Sequence, residues 1–187
     1  MIRVGILDTG CNLKLPNIVD RMNFTTFNKY DVSDNLGHGT MITNIINEMV
    51  NKDVEFVICK VLDKYKGDNH YVCDAIRYCI NMKVDIINCS FGGGDKNGEL
   101  EGVIKVCDIL GIIVVCANGN GDLCYPALYP STISVGALDE NNNVSSYTKE
   151  GYDVLEKGYY MWNGKMECGT SISCAIHTSK LVKELNK

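Results

Sequence analysis

Four polar side chains stand in short glycine-containing motifs that are far apart in the sequence. Asp8 opens an Asp-Thr-Gly triplet, His38 lies in Gly-His-Gly-Thr, Asn120 lies in Gly-Asn-Gly, and Ser171 closes a Gly-Thr-Ser triplet. A serine hydroxyl is a weak nucleophile until a base such as histidine removes its proton, and a carboxylate fixes the tautomer of that imidazole. An asparagine amide can donate a hydrogen bond to an oxyanion. Together these residue types indicate nucleophilic attack on a carbonyl group.

Hydrophobic patterning indicates the elements that must position these side chains. Apolar residues at helical spacing predict helices over 38–50, 72–80, 100–110 and 171–185. Short, continuously apolar runs predict strands over 3–7, 54–62, 85–90, 112–116 and 132–137. The polar stretch from 141 to 165 predicts short antiparallel strands and loops. Alternation of this kind is typical of a mostly parallel sheet with helices on both faces, so we predict a single three-layer α/β domain over 1–187.

The candidate residues occupy equivalent ends of these predicted elements. Asp8 ends the first strand and Asn120 follows a later one, whereas His38 and Ser171 begin helices. In open parallel sheets, ligands bind beyond the carboxyl ends of the strands. We therefore expect the four side chains to converge at one edge of the sheet.

The motifs and their order resemble those of the subtilisin-like serine proteases, or subtilases. The Asp-Thr-Gly, His-Gly-Thr, Gly-Asn-Gly and Gly-Thr-Ser triplets are joined by a Ser-Phe-Gly-Gly run that begins at Ser90. Each short motif alone is a weak signal, but five in order at matching elements are specific, and the likeness covers nearly the whole chain. The order of acid, base and nucleophile is recognised here from subtilisin itself.

The resemblance implies a serine endopeptidase that forms an acyl-enzyme. Ser171 would attack the scissile carbonyl, His38 would act as general base and then acid, and Asp8 would orient His38. The Asn120 amide and the Ser171 N–H would bind the oxyanion, with help from Thr170. No cofactor and no metal are implied, and the stretch between 38 and 60 is too short for the calcium loop of the family.

The resemblance also implies a peptide or protein substrate bound as an extended strand. A separate pro-segment or an inhibitor is a further partner of the kind that this family has. The expected substrate-binding residues are Ser90, Phe91, Gly92 and Gly93 along the strand, and Cys116, Ala117, Asn118 and Cys124 around the pocket.

Other interpretations of the same motifs carry less weight. An Asp-Thr-Gly triplet also occurs in aspartic proteases, but those are all-β proteins that need two such carboxylates. His177 is a second candidate base, yet it lies two-thirds of a helical turn away from the face of Ser171. The main rival is a protease-like domain that binds extended peptides without cutting them. Ala175, which replaces the proline usual in the family, favours that rival, whereas retention of all four chemical residues disfavours it.

The ten cysteines are predicted to be reduced thiols of the core. Several lie in apolar runs or on apolar helix faces, where a free thiol packs as a small hydrophobe. No pair has zinc-site or redox-motif spacing. Cys89 and Cys168 adjoin candidate catalytic positions, and redox regulation there stays an open alternative.

Composition excludes several classes of protein. With 45% hydrophobic residues, 23 acidic against 18 basic side chains and a pI near 5.2, the chain favours a globular protein without a nucleic-acid partner. No apolar run approaches membrane-spanning length. The sequence enters its first predicted strand without a basic leader, so we expect a cytoplasmic protein.

Overall fold

A parallel sheet forms the centre of the computed structural model, which describes residues 1–51, 53–64 and 66–187. Its strands are β1 (Ile2–Asp8), β2 (Ile18–Asn23), β3 (Val54–Lys60), β6 (Ile86–Cys89), β7 (Ile113–Ala117), β8 (Ile133–Leu138) and β9 (Val154–Lys157). Two small antiparallel hairpins lie outside it: β4 (Leu62–Asp63) with β5 (Lys66–Gly67), and β10 (Tyr159–Trp162) with β11 (Lys165–Cys168). The helices are α1 (His38–Met49), α2 (Asn69–Asn81), α3 (Gly98–Ile109) and α4 (Thr170–Leu185).

Strand pairing confirms the predicted α/β fold. Among the described residues, the order across the main sheet is β2-β3-β1-β6-β7-β8-β9, and every neighbouring pair is parallel. The carboxyl ends of β1, β6 and β7 therefore lie side by side, because these strands are adjacent and point the same way. This is the edge at which the candidate residues were expected to meet.

Both faces of the sheet are covered by helices. Val57 and Cys59 of β3 pack in a cluster with the apolar residues of α2 and α3, whereas Phe56 and Ile58 pack in a cluster with α1 and α4. Successive residues on a strand point to opposite faces, so a strand buried on both sides must be continuously apolar. Full burial of each such side chain stabilises the fold by about 1.5–3 kcal/mol.

Two strands depart from the prediction. The edge strand β2 was not predicted, because its Ile-Val-Asp-Arg-Met-Asn sequence has neither a continuous apolar run nor regular alternation. The 141–165 stretch was predicted to form antiparallel strands, and β10 and β11 do so. β9, however, pairs parallel to β8 and extends the main sheet, so that part of the prediction was wrong. In both cases the segment forms a strand because it pairs with the edge of the sheet, and its own hydrophobic pattern does not predict this pairing.

Nine of the ten cysteines are buried and Cys168 is exposed, and all ten are free thiols. Burial raises the pKa of the Cys73 thiol to about 11 and that of Cys107 to about 12. A thiol with so high a pKa is almost entirely protonated at neutral pH and therefore unreactive.

Among the described residues, no helix is long and apolar enough to cross a membrane.

Candidate active site

The carboxylate of Asp8 and the imidazole of His38 form a close polar pair at the sheet edge. Asp8 is the last residue of β1 and is buried, and His38 is the first residue of α1. Asp8 Oδ1 lies 2.7 Å from His38 Nδ1. A Cβ at Gly39 would lie 2.3 Å from the carbonyl oxygen of Gly10 and 2.9 Å from Asp8 Cβ. Glycine at position 39 thus lets the start of α1 pack directly against the end of β1.

A buried carboxylate that the sequence analysis missed, Asp34, holds these two segments together. Its Oδ1 accepts hydrogen bonds from the Thr9 hydroxyl (2.8 Å) and the Gly37 N–H (2.8 Å). Its Oδ2 accepts from the N–H (2.9 Å) and the hydroxyl (2.6 Å) of Thr40. Burial opposes ionisation of Asp34, but hydrogen bonds from Thr40, Thr9 and Gly37 outweigh it and lower the pKa of the carboxyl. The sequence did contain a signal for Asp34: it stands shortly before a predicted helix, and aspartate favours helix N-termini.

The surroundings of His38 favour its charged form. Burial of the imidazole works against protonation, but the charge and the hydrogen bond of Asp8 raise the pKa of His38 above its ordinary value. The carboxylates of Asp34 and Glu167 add to this increase at longer range. The imidazole is therefore a stronger base than an isolated histidine.

Ser171 lies in the first turn of α4, next to the end of β6. Its hydroxyl donates to the carbonyl oxygen of Ser90 at 2.7 Å, and the Ser90 hydroxyl donates to the carbonyl oxygen of Ser171 at 3.0 Å. This reciprocal pair fixes the nucleophile candidate against the strand end. Ser171, His38 and Ser90 all line one open cavity of about 730 Å³.

A buried asparagine supports the Ser90–Ser171 pair from inside the protein. Asn88 is fully buried in β6, and its amide nitrogen donates to the Ser90 hydroxyl at 2.9 Å. Its amide oxygen accepts from the Thr178 hydroxyl at 2.9 Å and from the Cys174 thiol at 3.3 Å. An unsatisfied amide in such a core would cost stability, so these bonds also fix α4 relative to β6. The sequence signal for Asn88, which the sequence analysis did not use, was a polar residue inside an apolar strand.

Asn120 and Thr170 are brought together by two hydrogen bonds. The N–H and the hydroxyl of Thr170 both donate to Asn120 Oδ1, at 3.0 and 3.1 Å. In the free protein both donors of Thr170 are thus directed to Asn120 rather than to an oxyanion position, and its help at the oxyanion stays a prediction. Because Oδ1 is the acceptor of both bonds, the amide nitrogen of Asn120 points away from these Thr170 donors, and Asn120 lines the cavity.

A second cavity, of about 390 Å³, shares Ser171 and Asn120 with the first. Ala117 and Cys124 line it, as expected, together with the glycine run from Gly92 to Gly94. A Cβ at Gly92 would lie 2.0 Å from the sulfur of Cys124, so a larger residue there has no room. Phe91 lines both cavities.

Cys116 and Asn118 do not line either cavity, which corrects the expectation for that wall. Both are fully buried, and the amide of Asn118 bonds the Ser134 hydroxyl and the Lys149 N–H. Strand alternation explains the result, since residues 116 and 118 point to the face opposite Ala117.

Gly93 is also placed differently from the expected substrate strand. Its N–H donates to the carbonyl oxygen of Tyr125 at 2.9 Å, and its carbonyl oxygen accepts from the Tyr125 N–H at 2.8 Å. Backbone groups of successive residues in an extended segment point to opposite sides. Gly93 is therefore already paired, and the backbone groups of Ser90 and Gly92 face the other way.

The remaining residues of interest lie away from this constellation or support it. His177 contacts Glu156 at 3.2 Å and lines neither cavity, and His70 is exposed in α2. α4 begins at Thr170 although Ala175 stands where the family has a proline. No group of three or more His, Cys, Asp or Glu side chains in the described part of the chain is arranged to hold a metal ion. The absence of calcium stays a prediction.

Comparison with known protein sequences gives close relatives. The subtilase family model matches residues 1–183. The chain is 33% identical over 177 residues to the "Intracellular serine protease" of Paenibacillus polymyxa, which covers 82% of this chain and 54% of that protein. It is 33% identical over 178 residues to the "Major intracellular serine protease" of Bacillus subtilis (strain 168), covering 82% of this chain and 56% of that protein. The chain thus spans about half the length of these relatives.

Two solved structures share the fold. The "cold adapted subtilisin-like serine proteinase" superposes with a TM-score of 0.86 at 23% identity, covering 99% of this chain and 75% of that one. The "Prenylagaramide maturation protease PagA" superposes with a TM-score of 0.81 at 23% identity, with the same coverage of 99% and 75%. Because the family model matches almost the entire sequence and the curated relatives exceed 30% identity, this chain belongs to the subtilase family.

Proposed function

We propose that this chain is a single catalytic domain, a serine endopeptidase that hydrolyses peptide bonds through an acyl-enzyme at Ser171. The observation that carries the proposal is the 2.7 Å contact between Asp8 and His38 in a cavity that Ser171 also lines. Membership of the subtilase family supports the same reaction.

The first half of the reaction transfers the acyl group to the serine. The Ser171 hydroxyl turns from the Ser90 carbonyl toward the imidazole, His38 Nε2 takes its proton, and Oγ bonds to the scissile carbonyl carbon. The oxyanion accepts hydrogen bonds from the Asn120 amide nitrogen and from the Ser171 N–H, a first-turn amide that has no intrahelical acceptor. The C–N bond then breaks as His38 gives the proton to the leaving amine.

The second half restores the enzyme. A water molecule loses a proton to His38 and attacks the ester carbon, and the second tetrahedral intermediate uses the same oxyanion donors. Its collapse returns the proton to Ser171 and releases the acid. Asp8 keeps its charge throughout and stabilises each imidazolium that forms.

The substrate is proposed to lie as an extended strand along Ser90 and Gly92, whose backbone groups face away from Tyr125. The side chain before the scissile bond would enter the cavity lined by Ala117 and Cys124. We further propose that the protein acts inside the cell, in maturation of precursor peptides or in protein turnover. The names of the bacterial relatives and of the maturation protease that shares its fold support this role.

Mass-spectrometric mapping of cleavages in a peptide library tests this proposal. We expect internal cleavage of peptides at neutral pH by the folded protein, with a recurrent residue class before the cleaved bond. Binding of the same peptides without any product would overturn the proposal in favour of a domain that only holds extended peptides.

The pH dependence of hydrolysis provides a further prediction. His38 must be neutral to accept the proton of Ser171, so kcat/KM is expected to rise with pH as His38 deprotonates. Because Asp8 raises the pKa of His38, the midpoint of this rise is expected above the ordinary value of about 6.5. A pH–rate profile measured with one peptide checks it, and a midpoint below that value would contradict the assigned base.

A further inference from the structure

Ser171 lies between two cavities that differ in the groups around them. The smaller cavity contains Asn120, Ala117 and Cys124 but not His38. The larger cavity contains His38 together with Glu167. Under the proposed function the substrate is cut at Ser171, so the smaller cavity would receive part of the acyl side, whereas the larger cavity extends past His38 to the leaving side.

The leaving side of the substrate must pass His38, because that imidazole protonates the departing amine. The larger cavity has two kinds of wall. One wall is an apolar cluster in which Phe91 packs with Leu62, Val72 and Leu100. Because Phe91 belongs to the segment along which the acyl part of the peptide is proposed to lie, this wall belongs to the acyl side. The other wall comes from the end of β11 and the turn before Ser171. That second wall is the one that the first residue after the scissile bond meets.

Glu167 is the charged residue of that second wall. It is exposed, and its strand is held by pairing with β10, where Glu167 lies opposite Tyr160. Among the described residues, no Lys, Arg or His nitrogen lies within 4.0 Å of its carboxylate in an ion pair. Glu167 lines the same cavity as His38 and Ser171 and stands four residues before Ser171 in the sequence, and its charge also contributes to the raised pKa of His38. Two further charged residues line the cavity, Lys66 and Asp68, which are opposite in sign and separated by one residue in the sequence.

We propose that Glu167 determines specificity on the leaving side by selecting substrates with a basic residue directly after the scissile bond. This inference rests on the proposed endopeptidase function. A lysine or arginine there would bring its cation to a carboxylate that has no cation of its own, whereas an aspartate or glutamate would be repelled. The net charge of −5 on the chain adds to attraction of basic peptides.

Competition between two peptides that differ only in Lys or Glu after the cleaved bond tests the proposal. We expect the native protein to prefer the Lys peptide in kcat/KM by about fivefold at low salt, a size set by exposed charge interactions. The preference should fall in high salt because such interactions are screened. Glu167→Gln should reduce the ratio to near one, and Glu167→Lys should reverse it. Glu140→Gln, an exposed carboxylate that lines neither cavity, should keep the native ratio.

A second readout distinguishes a charge effect from local distortion. Glu167→Gln should also move the midpoint of the pH–rate profile to lower pH, because one of the charges that raise the pKa of His38 is removed. Equal cleavage of both peptides by the native protein would overturn this inference while leaving the endopeptidase intact. Failure to cleave any peptide would overturn the proposed function, and this inference with it.

Discussion

Replacing Ser171 with alanine is expected to lower kcat by about 10⁶-fold, the size known for the same change in subtilisin itself rather than one calculated from this chain. The reason is chemical. Without Oγ no acyl-enzyme forms, and what remains is the stabilisation of a water-driven reaction by the oxyanion donors. The fold should persist, because the hydrogen bond that the hydroxyl donates to the Ser90 carbonyl is worth only about 1 kcal/mol.

Single-turnover hydrolysis of one good peptide, together with thermal unfolding, checks this expectation. Ser179→Ala is a matched control, since Ser179 is another serine of α4 whose buried hydroxyl donates to the Ala175 carbonyl. It should keep native kcat. If Ser171→Ala retained more than about a hundredth of native activity with the same cleavage site, Ser171 would not be the nucleophile.

Replacing Asp8 with asparagine is expected to lower kcat by about 10⁴-fold while the protein stays folded. Asp8 Oδ1 accepts a hydrogen bond from His38 Nδ1, which keeps the proton on that nitrogen and leaves Nε2 as the unprotonated nitrogen that acts as the base. An asparagine amide can instead donate to Nδ1. That bond places the ring proton on Nε2, the atom that must receive the proton of Ser171, and it removes the charge that stabilises the imidazolium.

The same variant should change the pH profile. Asp8 is the main group that raises the pKa of His38, so its neutral replacement should let that pKa fall, and the residual activity should reach its plateau at lower pH. Glu140→Gln is again a suitable control for loss of a carboxylate elsewhere. A native kcat in Asp8→Asn, or an unchanged midpoint, would contradict the role given to this carboxylate.

Local signals explain why much of this fold was predictable. The strands at the centre of the sheet are buried on both faces, so β1, β3 and β7 had to be continuously apolar and were recognisable as such. A glycine lies within two residues of each of Asp8, His38 and Ser171. Such glycines let two backbone segments pack closely at a strand end or a helix start. At Gly39 and Gly92, for example, a Cβ would clash with neighbouring atoms, so only glycine fits. Such constraints act within a few residues and are therefore visible in a sequence.

The features that were missed depend on contacts between distant segments. Asp34 matters because Thr9 and Thr40 reach it from two different elements, and nothing within its own neighbourhood specifies both. Thr170 donates to Asn120 because the amide oxygen of Asn120 faces it, and the orientation of that amide is set by the surrounding packing.

Labelling of the folded protein by a fluorophosphonate probe, followed by peptide mapping of the modified residue, is the most direct test of the central claim. An activated serine beside a working imidazole reacts with such a probe, whereas ordinary serines do not. We predict a single label, on Ser171, that appears at neutral pH and is lost on unfolding and in Ser171→Ala. A folded protein that stays unlabelled, or one labelled at another serine, would contradict the account.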